Sequence, residues 1–175
     1  DRGLRQLRIG ETEKYAHVTY FFNGRREEPF ANEFRILIPS ESAFRKEDRP
    51  AMQASAITER AILALHEKSF DFILLNYANP DVIAHTGNYA ATVAAIEAVD
   101  RELARLTTAV EEGGHAMILT SDHGNAEVLI DPRTGEPETK HNPSPVPCYL
   151  VAKEFARANP SRPNPLAVQG LLADV

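Results

Sequence analysis

The chain holds a single cysteine, Cys148, in 175 residues. One thiol excludes a disulfide within the chain and fits a reducing, cytoplasmic setting. No run approaches the roughly 20 apolar residues that a membrane helix needs. No secretory signal pattern is visible either, so no membrane role is expected. Positive charge is also short: the formal net charge is −6. Nucleic acid therefore has no electrostatic footing here. An anionic substrate would need a local positive site, from metal or from clustered Lys and Arg. Internal repeats and low-complexity segments are absent. What remains, 43% hydrophobic and 25% charged residues, suits one globular domain with a real core. The chain starts at Asp1 rather than Met and ends in QGLLADV just as an apolar run develops, so it is expected to be an excised fragment.

Residues 1–14 are charged with weak periodicity, and no element is assigned to them. AHVTYFF (16–22) is rich in β-branched and aromatic residues and predicts a strand, closed by the Asn23-Gly24 turn. FRILI (34–38) predicts a second strand that stops at Pro39, followed by an irregular connection over 39–51. A helix is expected over 54–68. FDFILLNY (70–77) is nearly all apolar, as in a strand buried on both faces. Apolar positions Ile96, Val99, Leu103, Leu106 and Val110 step by three and four, which predicts a long amphipathic helix from about Tyr89 to Glu112, ended by Gly113-Gly114. HAMILT (115–120) predicts another buried strand, 127–130 a short one, and VPCYLV (146–151) the last. Cys148 is then expected to be a small buried hydrophobe. Strand alternating with helix is the α/β pattern. In open α/β sheets ligands gather beyond the carboxyl ends of the strands.

The chemistry-bearing residues lie in just such places. Asp81 and His85 stand in NPDVIAHTGN, Asp122 and His123 in TSDHGN, and His141 in KHNPSPVP. Asp81 and His85 share a face if 81–85 turns helically. If the strands before Asp81 and Asp122 are parallel neighbours, both acids meet at one sheet edge. Two carboxylates and three imidazoles form a mixed oxygen and nitrogen donor set suited to Mn²⁺, Zn²⁺ or Fe²⁺. Two such ions, with Lys14 of ETEKYAHVTYFF, would suit phosphoryl chemistry. Taken singly these residues are unremarkable: Asp-x-x-x-His is often a solvated helix face, Asp-His-Gly a turn, Lys14 a surface lysine. Their concurrence in Asn/Gly/Pro-rich loops after strands is what points to metal. His17, His66 and His115 read as structural or surface residues, and Arg25-Arg26 as part of a solvated turn.

Several long segments, in order, resemble the C-terminal part of the cofactor-independent (2,3-bisphosphoglycerate-independent) phosphoglycerate mutases of the alkaline phosphatase superfamily. They are RQLRIGETEKYAHVTYFFNG (5–24), EEPF (27–30), RILIPS (35–40), LLNYANPDVIAHTGN (74–88), AIEAVD (95–100), TSDHGNAE (120–127), PVPCYLV (145–151) and LLADV (171–175). The resemblance implies part of an alkaline-phosphatase-like three-layer α/β/α sandwich. It implies an enzyme that interconverts 3- and 2-phosphoglycerate in glycolysis through a phosphoserine, with two Mn²⁺ ions (Zn²⁺ being the alternative). Asp81, His85 and His141 would hold one ion, Asp122 and His123 would help hold the other, and Lys14 would contact the transferring phosphoryl group. The family's nucleophilic serine, a further aspartate ligand and a second, arginine-bearing domain have no counterpart in 1–175. The resemblance thus implies a piece that is inactive alone and prone to self-association through apolar strand surface, from a parent that is a cytoplasmic monomer acting on a small phosphorylated acid.

Two departures stand out. The family usually has Gly-Gly after Asn23, where this chain has Gly24-Arg25. After the metal histidine it usually reads Thr-Thr-Asn-Pro-Val-Pro, where this chain has Asn142-Pro143-Ser144-Pro145, a stiffer loop. Two other readings stay open: a sister phosphohydrolase or phosphopentomutase of the superfamily, and a non-catalytic metal-binding domain.

Overall fold

A computed structural model of the chain describes residues 2–42 and 45–155. Asp1 and the LLADV segment lie outside the described residues.

Three strands, β1 (Gln6–Glu11), β2 (Glu33–Ile38) and β3 (Phe72–Leu75), form a parallel sheet in the order β2-β1-β3. β1 is central, with Ile9 opposite both Ile36 and Leu75. This strand lies in the segment to which the sequence assigns no element. Its apolar alternation is masked because the fold buries polar residues on both faces of the strand, Arg8 on one and Glu11 on the same side as Leu7 and Ile9. Arg8 is 3% exposed, its guanidinium stacked over the Phe22 and Phe72 rings, and Glu11 is fully buried. Desolvation raises the Glu11 pKa, opposed by hydrogen bonds from Ser40 and the Gln53 backbone.

Helix α1 (Ala54–Glu67) covers one face of this sheet, burying Ile57, Ala61 and Ala64 at helical spacing. Helix α2 (Asn79–Ala84) follows β3, and helix α3 (Tyr89–Gly113) packs along both α1 and α2. α3 starts on an Asn88 cap that accepts from Ala91 N at 3.0 Å and ends at Gly114 with φ 67°. Small residues are buried at both contacts of α3, Ala61 and Ala64 of α1 beside Leu106 and Val110, and Ala91 and Ala95 beside Ile83 of α2. The main core joins Leu7 and Ile9 of β1, Ile57, Ala61 and Ala64 of α1, and Leu106 and Val110 of α3. Strands β4 (Ala116–Thr120) and β5 (Cys148–Ala152) form a separate antiparallel pair against α3.

Several expectations need correction. Residues 16–22 are helical, not a strand: His17–Phe21 is a π-helical turn, with Arg25 N bonded to Tyr20 O at 2.8 Å and Thr19 Oγ1 to Tyr15 O at 2.8 Å. Contact with the end of β1 overrides the β propensity: Val18 packs on Gly10, where a Cβ would come within 3.2 Å of Val18 Cγ2. β3 and β4 are not buried on both faces. Phe72 is 46% and Ile118 71% exposed, because among the described residues α1 and α3 line one side only. β3 and β4 are not paired neighbours either. Residues 127–129 form no strand; an isolated bridge joins Ile130 to Pro137. Cys148 is exposed, since it opens an outer strand whose first three residues lie in solvent.

Ile9 is fully buried between two strands and α1. Ile9→Ala is expected to cost about 3 kcal/mol, the usual range for a buried aliphatic truncation. Urea unfolding would read this as a lower midpoint, and an unchanged midpoint would place the stabilising core elsewhere.

Candidate metal centre

The site forms beyond the carboxyl end of β3 and around the loop after β4. Pro80 sits in the first turn of α2, where its missing N–H costs nothing. The fully buried Asn79 donates from Nδ2 to Pro50 O at 2.8 Å and fixes the start of the helix. Asp81 is in that first turn and His85 closes the helix, so both side chains leave one face. Gly87 takes φ 69°, and any Cβ there would strike Pro137 of the loop leading to His141. That loop folds back through Glu138 N to Leu129 O at 2.9 Å. Gly124 lies so close to Asn142 and Glu127 that no side chain fits.

These constraints bring three loops onto one carboxylate. Asp81 Oδ1 lies 3.1 Å from His85 Nε2 and 3.2 Å from His141 Nε2. The two imidazole nitrogens are 3.2 Å apart. His85 Nδ1 is 2.6 Å from Thr139 O, so it carries the proton and leaves Nε2 as the free donor atom. His123 stacks on His141 with centroids 3.5 Å apart, and ligand atoms of Asp81, His123 and His141 all lie within 4.8 Å of one another. Lys14, only 8% exposed, reaches Asp81 Oδ2 at 2.5 Å. Asp122 stays at the rim: its side chain is 51% exposed and 3.5 Å from His123 Nε2. Carboxylate oxygen and imidazole nitrogen converging in this way fit a divalent ion of the Mn²⁺ or Zn²⁺ type.

Other residues at the site carry less sequence signal. Asn125 donates from Nδ2 to Asp81 Oδ1 at 2.6 Å; its place inside TSDHGNAE is the one clue. Thr139 acts through its carbonyl, which no side-chain pattern reports. The His17 imidazole lies in the field of Lys14, Asp122, Asp81 and His123. Burial first, then Lys14, lowers its pKa, against the pull of the two aspartates.

The whole chain, residues 1–175, matches the model of the metalloenzyme superfamily. It is 51% identical over 154 residues to a 2,3-bisphosphoglycerate-independent phosphoglycerate mutase of Synechococcus sp. (strain JA-2-3B'a(2-13)), covering 88% of this chain and 29% of that protein. Against the protein of the same name from Thermomicrobium roseum it is 48% identical over 175 residues, 100% of this chain and 33% of the relative. A solved structure of Leishmania mexicana phosphoglycerate mutase, at low cobalt concentration, superposes with a TM-score of 0.81 at 35% identity, covering 88% of this chain and 30% of that one. The α/β, alkaline-phosphatase-like expectation therefore holds. The chain spans about a third of the length of the curated relatives it matches.

Burial pushes the Asp81 carboxyl up, but hydrogen bonds from Lys14 and Asn125 and the charges of Lys14 and His85 together outweigh it and hold its pKa at about 2, against 3.8 ordinarily. A carboxyl depressed on folding contributes stability that is complete above the ordinary pKa and disappears as pH falls through the folded one. Metal-free Asp81→Asn is therefore expected to unfold more readily than the parent chain at about pH 6 and to converge with it near pH 2. Thermal unfolding of both across that range checks this, and a constant gap would contradict it.

Proposed function

The chain belongs to the metalloenzyme superfamily, and on that premise we propose that it is the metal-holding part of a 2,3-bisphosphoglycerate-independent phosphoglycerate mutase. The observation that carries the proposal is the convergence of three separate loops and Lys14 on the Asp81 carboxylate. Likeness over the full chain to relatives of that name supports it.

In this reading Asp81, His85 and His141 hold one divalent ion, and Asp122 and His123 contribute to a second, Mn²⁺ being the proposed metal. When bound, the ions neutralise charge that builds on phosphoryl oxygens during transfer. Thr139 keeps the proton of His85 on Nδ1, so that Nε2 remains a ligand. Lys14, buried and aimed into the cluster, is the group proposed to meet the transferring phosphoryl, as a compact point charge at the edge of the ion site. The substrate class is a small phosphorylated acid, 3- or 2-phosphoglycerate, and the setting is cytoplasmic glycolysis. The nucleophilic serine and the arginine-bearing second domain are proposed to come from outside residues 1–175, so the chain alone is expected to be inactive.

Replacing the matching third of the Thermomicrobium roseum mutase with this chain tests the proposal. The Mn²⁺-loaded chimera is expected to interconvert 3- and 2-phosphoglycerate. Lys14→Gln in it should lower turnover about 10²- to 10³-fold with metal content kept. A folded, Mn²⁺-loaded but inert chimera would overturn the reading. In the chain itself, His141→Ala removes one imidazole of the cluster, and Mn²⁺ affinity measured by calorimetry should fall steeply. Unchanged affinity would break the ligand assignment.

A further inference from the structure

Three bonds tie the loops of the site into a closed frame. His85 Nδ1 meets Thr139 O at 2.6 Å and joins the α2 segment to the His141 loop. Asn142 N donates to Gly124 O at 2.9 Å and joins the His141 loop to the loop after β4. The third side is closed by the Asn125 amide, which donates to Asp81 Oδ1 at 2.6 Å and lies 3.4 Å from the Asp81 carbonyl. Asn125 is 5% exposed, and its own main chain is fixed: its N–H donates to Glu127 Oε2 at 2.8 Å, and its carbonyl accepts from Asn142 Nδ2 at 3.5 Å.

We propose that Asn125 is a positioning residue of the metal centre, holding Asp81 Oδ1 toward His85 and His141. The proposal rests on the metal-holding reading above. The oxygen that Asn125 grips is the one both imidazoles face, at 3.1 and 3.2 Å. An aspartate carboxylate otherwise rotates over a broad, shallow range about its last torsion. One amide hydrogen fixes that rotation, occupies one lone pair of Oδ1, and leaves the other free for a cation. Lys14 grips Oδ2 but brings a positive charge that opposes an incoming cation. Asn125 orients the carboxylate with no such opposition. The reversed amide would set its oxygen against the carboxylate, so the N–H₂ side belongs on Asp81.

The test is titration of the chain and of Asn125→Leu and Asn125→Ala with Co²⁺, whose visible absorption reports the ligand arrangement, with thermal unfolding of each metal-free protein. Leu keeps the volume and loses only the donor. The expected result is a Co²⁺ affinity about 10- to 100-fold weaker in both variants, the scale of losing a group that orients a ligand. An altered visible band and a Leu variant that still melts cooperatively should accompany it. If the parent chain binds Co²⁺ and Asn125→Leu binds it equally, with the same band, this inference falls while the metal reading stands. Weaker binding with an unaltered band and a lost unfolding transition would assign Asn125 a general structural role and overturn the inference too. If the parent chain binds no Co²⁺, the metal reading falls and takes this inference with it.

Discussion

The Asp81 carboxylate is the point on which the site depends. One oxygen faces two imidazoles and an amide, and the other faces an ammonium. A carboxylate whose side chain is 17% exposed is tolerable only while it is hydrogen-bonded and paired. Apart from His85, which caps the end of Asp81's own helix, each favourable contact comes from a different part of the chain: Lys14 beyond β1, Asn125 after β4, and His141 seventeen residues after Gly124. The charge through which Asp81 is proposed to hold a metal is also the one these segments converge on.

The fold serves this by bringing the segments that follow its strands together rather than by pairing the strands concerned. β3 and β4 carry the two acidic loops yet lie in different sheets. α3 packs against α2 and also contacts β4 and β5, so it carries the spatial relation that strand pairing would otherwise set. The remaining alignment is local: a turn at Gly87 against Pro137, a glycine at 124 with no room for a side chain, and the Asn125 amide.

Much of this was legible in the sequence. The periodicity of 96–110 marked α3 to within a residue at its end, and the spacing of Asp81 and His85 placed both on one face. Motifs in loops survive in a sequence because residue type there carries the chemistry directly. What was not legible depends on burial partners. β1 hid behind Arg8 and Glu11, which look like surface residues until Phe22, Phe72 and Ser40 are seen around them. Residues 16–22 have the composition of a strand and the surroundings of a helix turn. Cys148 sits in an apolar run whose outer side has no cover among the described residues. His123 joins Asp81 and His141, while its neighbour Asp122 stays in solvent, a split that adjacency in sequence could not reveal.

Anomalous diffraction at the manganese edge, from crystals of the chain grown with Mn²⁺, tests the central claim most directly. The expected density is an ion bonded to Asp81, His85 and His141, with Lys14 at its border. Ions bound only away from Asp81, or a well-ordered cluster with no ion at saturating Mn²⁺, would contradict it.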